Sequence, residues 1–303
     1  VAQKGKTLSD SKDSAPPEQL SRKQRVFARL EELNASGPKR SLGQNFLISD
    51  HVVDKIIFAV KAEPFSEMIE VGPGLGALTE DLIEVARAQK ARLTLIELDR
   101  TFAADWRSRA EAANLRVFEG DALQMEWRDF TLKPKTLFVS NLPYQISSSI
   151  AIERSIDPAG ISRMILMFQK EVAQRIGSKA KTPDYGLLTV IIQAFWETAT
   201  VVDAGPKDFH PAPNVASRVV VFRRRPEPDF GPRGTPTGFL RFAKAGFSHR
   251  RKLLAKNLAS ELGSADTTEK LVAAFGVMKL LPTARAEELS PAQFVELYRL
   301  INS

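Results

Sequence analysis

Asn141-Leu142-Pro143-Tyr144 follows directly on the apolar run Leu137-Phe138-Val139-Ser140. An amide, a proline-restricted backbone and an aromatic ring at the carboxyl end of a strand can hold an exocyclic amine. The amide oxygen and a nearby backbone carbonyl accept its two N–H groups, and the ring stacks on the base that carries it. A strand end followed by a Pro turn and a half-buried Tyr uses the same four letters, so the motif needs company. Upstream, Ile69-Glu70-Val71-Gly72-Pro73-Gly74-Leu75-Gly76-Ala77-Leu78 places a Gly-rich turn between a strand and a helix, where the backbone can approach a ligand closely. Gly72-x-Gly74-x-x-Ala77 also satisfies the dinucleotide fingerprint, with Glu97 downstream as a ribose carboxylate. Loop and acid together point to an adenosine cofactor without saying which one.

Two features favour S-adenosylmethionine over NAD. Asp121, in Glu119-Gly120-Asp121-Ala122 after the third strand, is placed to accept from an adenine amino group. The amide-Pro-aromatic motif lies after the fourth strand, at the sheet edge where ligands of such folds bind, and no His or Lys constellation for hydride transfer accompanies it. Glu70, Glu97 and Asp121 could each be a strand-end charge taken singly. Three at successive strand ends argue for a site.

Composition removes other chemistries. The 303 residues contain no cysteine, which excludes disulfides, thiolate metal sites and a cysteine nucleophile. The three histidines, His51, His210 and His249, are too scattered for a metal cluster, so no metal is expected. The chemistry must rest on Asn, Asp, Glu, aromatics and backbone. A net charge of +7 favours a polyanionic partner. No apolar run approaches the ~20 residues of a membrane span, and the polar Val1 to Pro17 stretch lacks the apolar core of a signal peptide. A cytoplasmic protein without membrane contact, and with no sign of an obligate oligomer, is the expectation.

Positioning these residues requires an α/β fold. Short β-rich runs fall at 68–71, 93–96, 115–118, 137–139 and 164–168, with helical stretches at 51–60, 77–88 and 102–113. That alternation implies a mostly parallel sheet covered on both faces. Leu188, Ile191, Ile192 and Phe195 mark a further helix by their spacing. Two late strands, around 199–202 and 218–223, are expected to close the sheet as an antiparallel pair. Residues 1–17 read as a disordered tail. A helix over 18–34, carrying Arg22, Lys23, Arg25 and Arg29, ends at Gly37-Pro38. After the Pro/Gly-rich 226–236 linker everything reads as helix, with Ser290-Pro291 a good N-cap and first-turn pair. The expected division is a tail (1–17), a Rossmann-like methyltransferase domain with its N-terminal helix (18–229) and a small C-terminal all-helical domain (230–303).

In this order the motifs resemble the bacterial KsgA (RsmA) family of small-subunit rRNA adenine N6,N6-dimethyltransferases, over about 39–298. The segments that carry the likeness include Ser41-Leu42-Gly43-Gln44-Asn45-Phe46-Leu47, the 70–76 loop, Glu97-Leu98-Asp99, Gly120-Asp121-Ala122 and Asn141 to Tyr144. Further on come Phe168 to Arg175, Phe209-x-Pro211-x-Pro213-x-Val215-x-Ser217, Phe247-Ser248-x-Arg250-Arg251-Lys252 and Arg285 to Leu289. The resemblance implies S-adenosylmethionine as cofactor and the small ribosomal subunit with its 16S rRNA as partner. It implies that Asn45, Leu47, Gly72, Gly74, Glu97, Leu98, Asp121, Ala122 and Asn141 bind the cofactor. Asn141, Leu142, Pro143, Tyr144 and Phe209 are the implied catalytic set, with Tyr144 and Phe209 sandwiching the target base. Two basic clusters, Arg223-Arg224-Arg225 and His249-Arg250-Arg251-Lys252, flank the helical part, and Arg223, Arg224, Arg250, Arg251 and Lys252 are expected to meet RNA. Lys170 and Arg175 have a structural reading of equal standing. The rivals are a large-subunit rRNA dimethyltransferase of the antibiotic-resistance type, a ribosome-assembly or transcription factor acting mainly by binding, a DNA N6-methylase and, remotely, an NAD enzyme.

Overall fold

The computed structural model describes residues 20–33, 43–129, 133–263 and 265–303, with the backbone alone for 112–113, 129 and 265–267. The tail expected over 1–17 and the Gly37-Pro38 helix stop lie outside the described residues.

The apolar runs form a seven-stranded sheet. Its strands in chain order are β2 (Glu67–Val71), β3 (Arg92–Glu97), β4 (Leu115–Glu119), β5 (Thr136–Ser140), β6 (Ile161–Gln169), β7 (Trp196–Ala204) and β9 (Ser217–Arg224), arranged β4-β3-β2-β5-β6-β9-β7. The first five are parallel, and β9 pairs antiparallel with both β6 and β7. The strand order therefore reverses between β2 and β5, and the crevice at their carboxyl ends is where such sheets bind ligands. A second pairing was not foreseen from the sequence: β1 (Phe46–Leu47) lies antiparallel to β8 (Phe209–His210), with Leu47 opposite Phe209.

Alternation along each strand supplies two apolar layers, because neighbouring side chains point to opposite faces. Met68, Leu137, Val139, Ile165 and Met167 meet helices α2 (Asp50–Lys61) and α3 (Thr79–Ala88) on one face. Ile69, Phe138, Met164, Leu166 and Phe168 meet α5 (Tyr144–Ile156) and α7 (Leu187–Phe195) on the other. The chain after the linker is helical, as expected: α8 (Pro236–Gly246), α9 (Leu254–Leu262), α10 (Ala265–Val277) and α11 (Pro291–Ile301). Ser290 caps α11 by accepting from Gln293 N, with Pro291 in the first turn. These helices have no separate core, since Phe239, Phe242, Phe294 and Leu297 are continuous with the layer of Phe168 and Phe195.

The helix expected over 18–34 is α1 (Arg22–Glu32), begun by a capping box between Ser21 and Gln24. The remaining helices are α4 (Arg100–Ala113) after β3 and α6 (Lys170–Ile176) after β6. Among the described residues no helix is long and apolar enough to cross a membrane.

Candidate active site

One cavity opens at the carboxyl ends of β2, β3, β4 and β5, lined by 43–47, 70–74, 96–98, 120–122 and 141–144 among other residues. Each stretch arrives by a local device. Gly72, at φ +67°, donates its N–H to Ile96 O at 2.8 Å, locking the turn to the next strand. A methyl group built on Gly72 would meet nothing closer than Pro143 Cδ at 3.9 Å, so this flank of the turn is open to a ligand. Gly74 N donates to Glu97 Oε2 at 3.0 Å, and Trp106 Nε1 donates to Gly74 O at 2.9 Å. Gly76 is obligatory for a different reason: at φ +85° its added Cβ would sit 2.8 Å from Trp106 Cζ2.

Glu97 is 5 % exposed and also accepts from Asp99 N at 2.8 Å. Burial pushes its carboxyl up, and the backbone N–H groups of Asp99 and Gly74 pull it back. Its carboxylate keeps lone-pair positions for hydroxyl donors beside these backbone bonds. Asp121 Oδ1 accepts from Leu123 N at 2.9 Å, which orients the carboxylate in its turn. Leu98, an apolar side chain left 51 % exposed, and the buried Ala122 add apolar surface to the same lining.

Asn141 Nδ2 donates to Asn45 O at 3.2 Å, while Asn45 Nδ2 donates to Gly43 O at 3.2 Å. The first bond ties the 43–47 segment to the end of β5 and leaves Asn141 Oδ1 as the acceptor of that side chain. Tyr144 is half-buried, and its hydroxyl shares a 2.6 Å hydrogen bond with Ser217 Oγ. Burial raises the Tyr144 phenol, opposed by that bond, so the ring stays neutral.

Glu70 counts in the sequence among the three strand-end acids that argue for a site, but no role is assigned to it there. It is 2 % exposed, lines the cavity, and its Oε2 has no hydrogen-bond partner. Burial pushes its pKa up to about 8, eased by the nearby Thr79 hydroxyl and increased by the charges of Glu97 and Glu80. The signal was present in the sequence as an acid inside the apolar strand Met68-Ile69-Glu70-Val71.

Of the residues expected at the site, Asn45, Leu47, Gly72, Gly74, Glu97, Leu98, Asp121, Ala122, Asn141, Leu142, Pro143 and Tyr144 line this one cavity. Phe209 does not. It is 3 % exposed and packed in the core with Leu47 and Val219, too covered to offer a base a face. The basic clusters divide, with Arg224 half-buried and Arg223, Arg250, Arg251 and Lys252 exposed. Arg224 donates to Ser155 O and Glu227 and lies over the rings of Phe195 and Trp196 at 4.9 and 5.0 Å, so it is committed to the fold. Arg223 pairs with Glu63 at 2.6 Å. Arg250 donates to Pro183 O and Tyr185 O at 3.1 Å, holding the 183–185 loop against the C-terminal helices. Arg251 and Lys252 are exposed.

The ribosomal RNA adenine dimethylase family model matches residues 36–303. The chain belongs to this family. It is 50 % identical over 272 residues to the ribosomal RNA small subunit methyltransferase A of Bdellovibrio bacteriovorus, covering 89 % of this chain and 95 % of that protein. The namesake from Syntrophotalea carbinolica is 36 % identical over 87 % of this chain and 97 % of its own length. Among solved structures, the fold is similar to a dimethyladenosine transferase from Plasmodium falciparum (TM-score 0.66, 22 % identity, 83 % of this chain and 95 % of that one). It is also similar to a 23S rRNA methyltransferase (TM-score 0.60, 24 % identity, 86 % of this chain and 100 % of that one). The family member described here is a methyltransferase, and S-adenosylmethionine is its cofactor. The cavity suits that molecule. Glu70 Oε2, buried without a hydrogen-bond partner, answers a cationic amino group, the open flank of Gly72 admits a chain, and Glu97 and Asp121 offer acceptors for hydroxyls and an amine.

Proposed function

We propose that the protein methylates N6 of two adjacent adenosines in the 3′-terminal hairpin loop of 16S rRNA in the small ribosomal subunit, giving N6,N6-dimethyladenosine. In this reading it acts as a monomer in the cytoplasm and contributes to small-subunit biogenesis. The observation that carries it is the Asn141 amide, pinned through Nδ2 to Asn45 O beside the half-buried Tyr144, in the same cavity as Glu70, Glu97 and Asp121. The relatives at 36 and 50 % identity bear small-subunit names, which favours that substrate over large-subunit rRNA.

When bound, S-adenosylmethionine supplies a methyl group on a sulfonium that leaves as a neutral thioether. Glu97 holds ribose hydroxyls, Asp121 the adenine amine, Leu98 and Ala122 the ring, and Gly72 and Gly74 the methionine end, with Glu70 accepting from its ammonium. Asn45 and Leu47 cover the cavity from the N-terminal side. An adenine N6 is a poor nucleophile because its lone pair is delocalised into the ring. Asn141 Oδ1 and a backbone carbonyl accept both of its N–H groups and favour a pyramidal nitrogen with a free lone pair. Pro143 O already accepts from Ile146 N at 3.1 Å, which points to Leu142 O as the second acceptor. Tyr144 stacks on the base, worth ~1–3 kcal/mol. A single-stranded loop avoids most of the cost of unstacking the target. No strong general base is needed, because a methylated nitrogen sheds its proton to water. Orientation supplies most of the catalysis.

The 230–303 helices serve rRNA recognition, with the exposed Arg251 and Lys252 among the basic side chains offered to phosphates. The test is methyl transfer from labelled S-adenosylmethionine to small subunits lacking adenine dimethylation, beside free large-subunit rRNA, read by mass spectrometry. Dimethyladenosine in small-subunit RNA is expected. Label confined to large-subunit RNA, or none despite tight particle binding, refutes the assignment.

A further inference from the structure

Helix α1 precedes the 36–303 stretch that the family model matches, yet it touches two segments that line the cavity, at Phe46 and Ala77, and the elements that support them. We propose that α1 is a clasp that holds the cofactor site in its binding geometry, with Arg22, Phe27 and Arg29 as positioning residues for methyl transfer. The proposal rests on the reading of the cavity as the S-adenosylmethionine site.

The sequence gives this helix four basic residues, and the structure sorts them. Lys23 and Arg25 are exposed, whereas Arg22 is 4 % exposed and turned inward. Its Nε donates to Asp50 at 3.0 Å, and its Nη1 donates to Asp81 at 2.8 Å and to Ala77 O. These acceptors belong to the start of α2, the first turn of α3 and the end of the Gly-rich loop. A buried guanidinium persists only with its partners in place, so Arg22 locks three segments to α1 at once.

One helical turn on, Val26 packs with Phe46, Leu75 and Phe102, joining the covering segment to the loop that carries Gly74. The Phe27 ring lies 4.5 Å from that of His210, reaching β8, which pairs with β1. Arg29 pairs with Asp105 and places its guanidinium 5.6 Å from the Trp106 ring centroid. Trp106 then donates to Gly74 O, and Gly74 N donates to Glu97. Arg29 thus stands two contacts from the backbone group that holds the Glu97 carboxylate.

A cover that merely stabilised the fold would leave cofactor affinity alone. A clasp obeys linkage: if docked α1 favours the cofactor, the cofactor must favour docked α1 by the same factor. Two measurements on the full chain, with S-adenosylhomocysteine as probe, separate these cases. In the unaltered protein, saturating probe is expected to slow amide hydrogen exchange of residues 22–32 by about tenfold. Arg22→Ala is expected to raise the dissociation constant about tenfold and the KM for S-adenosylmethionine in parallel, with the KM for RNA unchanged and Arg22→Lys recovering part of the loss. Should Arg22→Ala not fold, Phe27→Ala and Trp106→Phe replace it, and the exchange measurement needs no variant. Unaltered exchange in 22–32 while the cavity residues gain protection overturns the clasp, as do folded variants that bind like the parent. A parent protein that binds no S-adenosylhomocysteine overturns the cofactor site itself and the clasp with it.

Discussion

Replacing Glu70 by Gln keeps the shape of the side chain and removes its ability to ionise, which isolates the consequence of burying this acid. In the folded protein its pKa stands near 8 against an ordinary 4.5, with burial as the main cause. Between those limits the folded chain keeps a proton that the unfolded chain has released, so stability falls as pH rises. The full span corresponds to about 5 kcal/mol at 1.36 kcal/mol per pH unit. Between pH 5.5 and 8.5 the parent should lose about 3 kcal/mol relative to Glu70→Gln, since contributions common to both proteins cancel. For a chain of this size that is on the order of 5 °C in the unfolding midpoint. Urea or thermal unfolding of the two proteins without cofactor, across that range, measures the difference directly. Calorimetry supplies the functional half. If Glu70 meets a ligand ammonium, it ionises on binding, and S-adenosylhomocysteine should release close to one proton at pH 7 from the parent and none from this group in the variant. Parallel stability profiles, or equal proton release, would refute the reasoning.

The other expectations concern distinct parts of the molecule. Asn141→Ala should lower kcat on the order of a hundredfold and weaken cofactor affinity much less, and equal losses in both would make it a cofactor residue only. Tyr144→Ala should be inactive, whereas Tyr144→Phe, which loses the Ser217 bond worth about 1 kcal/mol, should keep substantial activity; a dead Phe variant overturns the stacking role. Gly76→Ala must place a methyl 2.8 Å from Trp106 Cζ2 at a left-handed φ, costing on the order of 2 kcal/mol and raising the KM for S-adenosylmethionine. Arg251→Ala and Lys252→Ala should each reduce the slope of log affinity against log salt for small subunits by about 1. Arg224→Ala should leave that slope intact and lower stability instead, and a reduced slope there would return Arg224 to the RNA surface.

Much of this protein was legible in its sequence because the governing rules are local. The change from twofold to 3.6-residue periodicity marks strands and helices, and the glycines of 72–76 admit a turn that other residues resist. Glu97 ends a strand, Asp121 and Asn141 follow one, and parallel strands deliver their carboxyl ends to one edge, so order along the chain became proximity in space. Helix α5 was harder to foresee, since Ser147, Ser148 and Ser149 interrupt its apolar pattern. The tertiary structure alone decided which faces were covered. It buried Phe209 against Leu47 through a strand pair between distant parts of the chain. It turned Arg22 and Arg29 inward while leaving Lys23 and Arg25 exposed on the same helix, and stacked Arg224 between protein groups. It also left Glu70 Oε2 buried without a partner. Residue type sets what a side chain can do. Whether it is desolvated, paired or free depends on partners brought near only when the chain has folded.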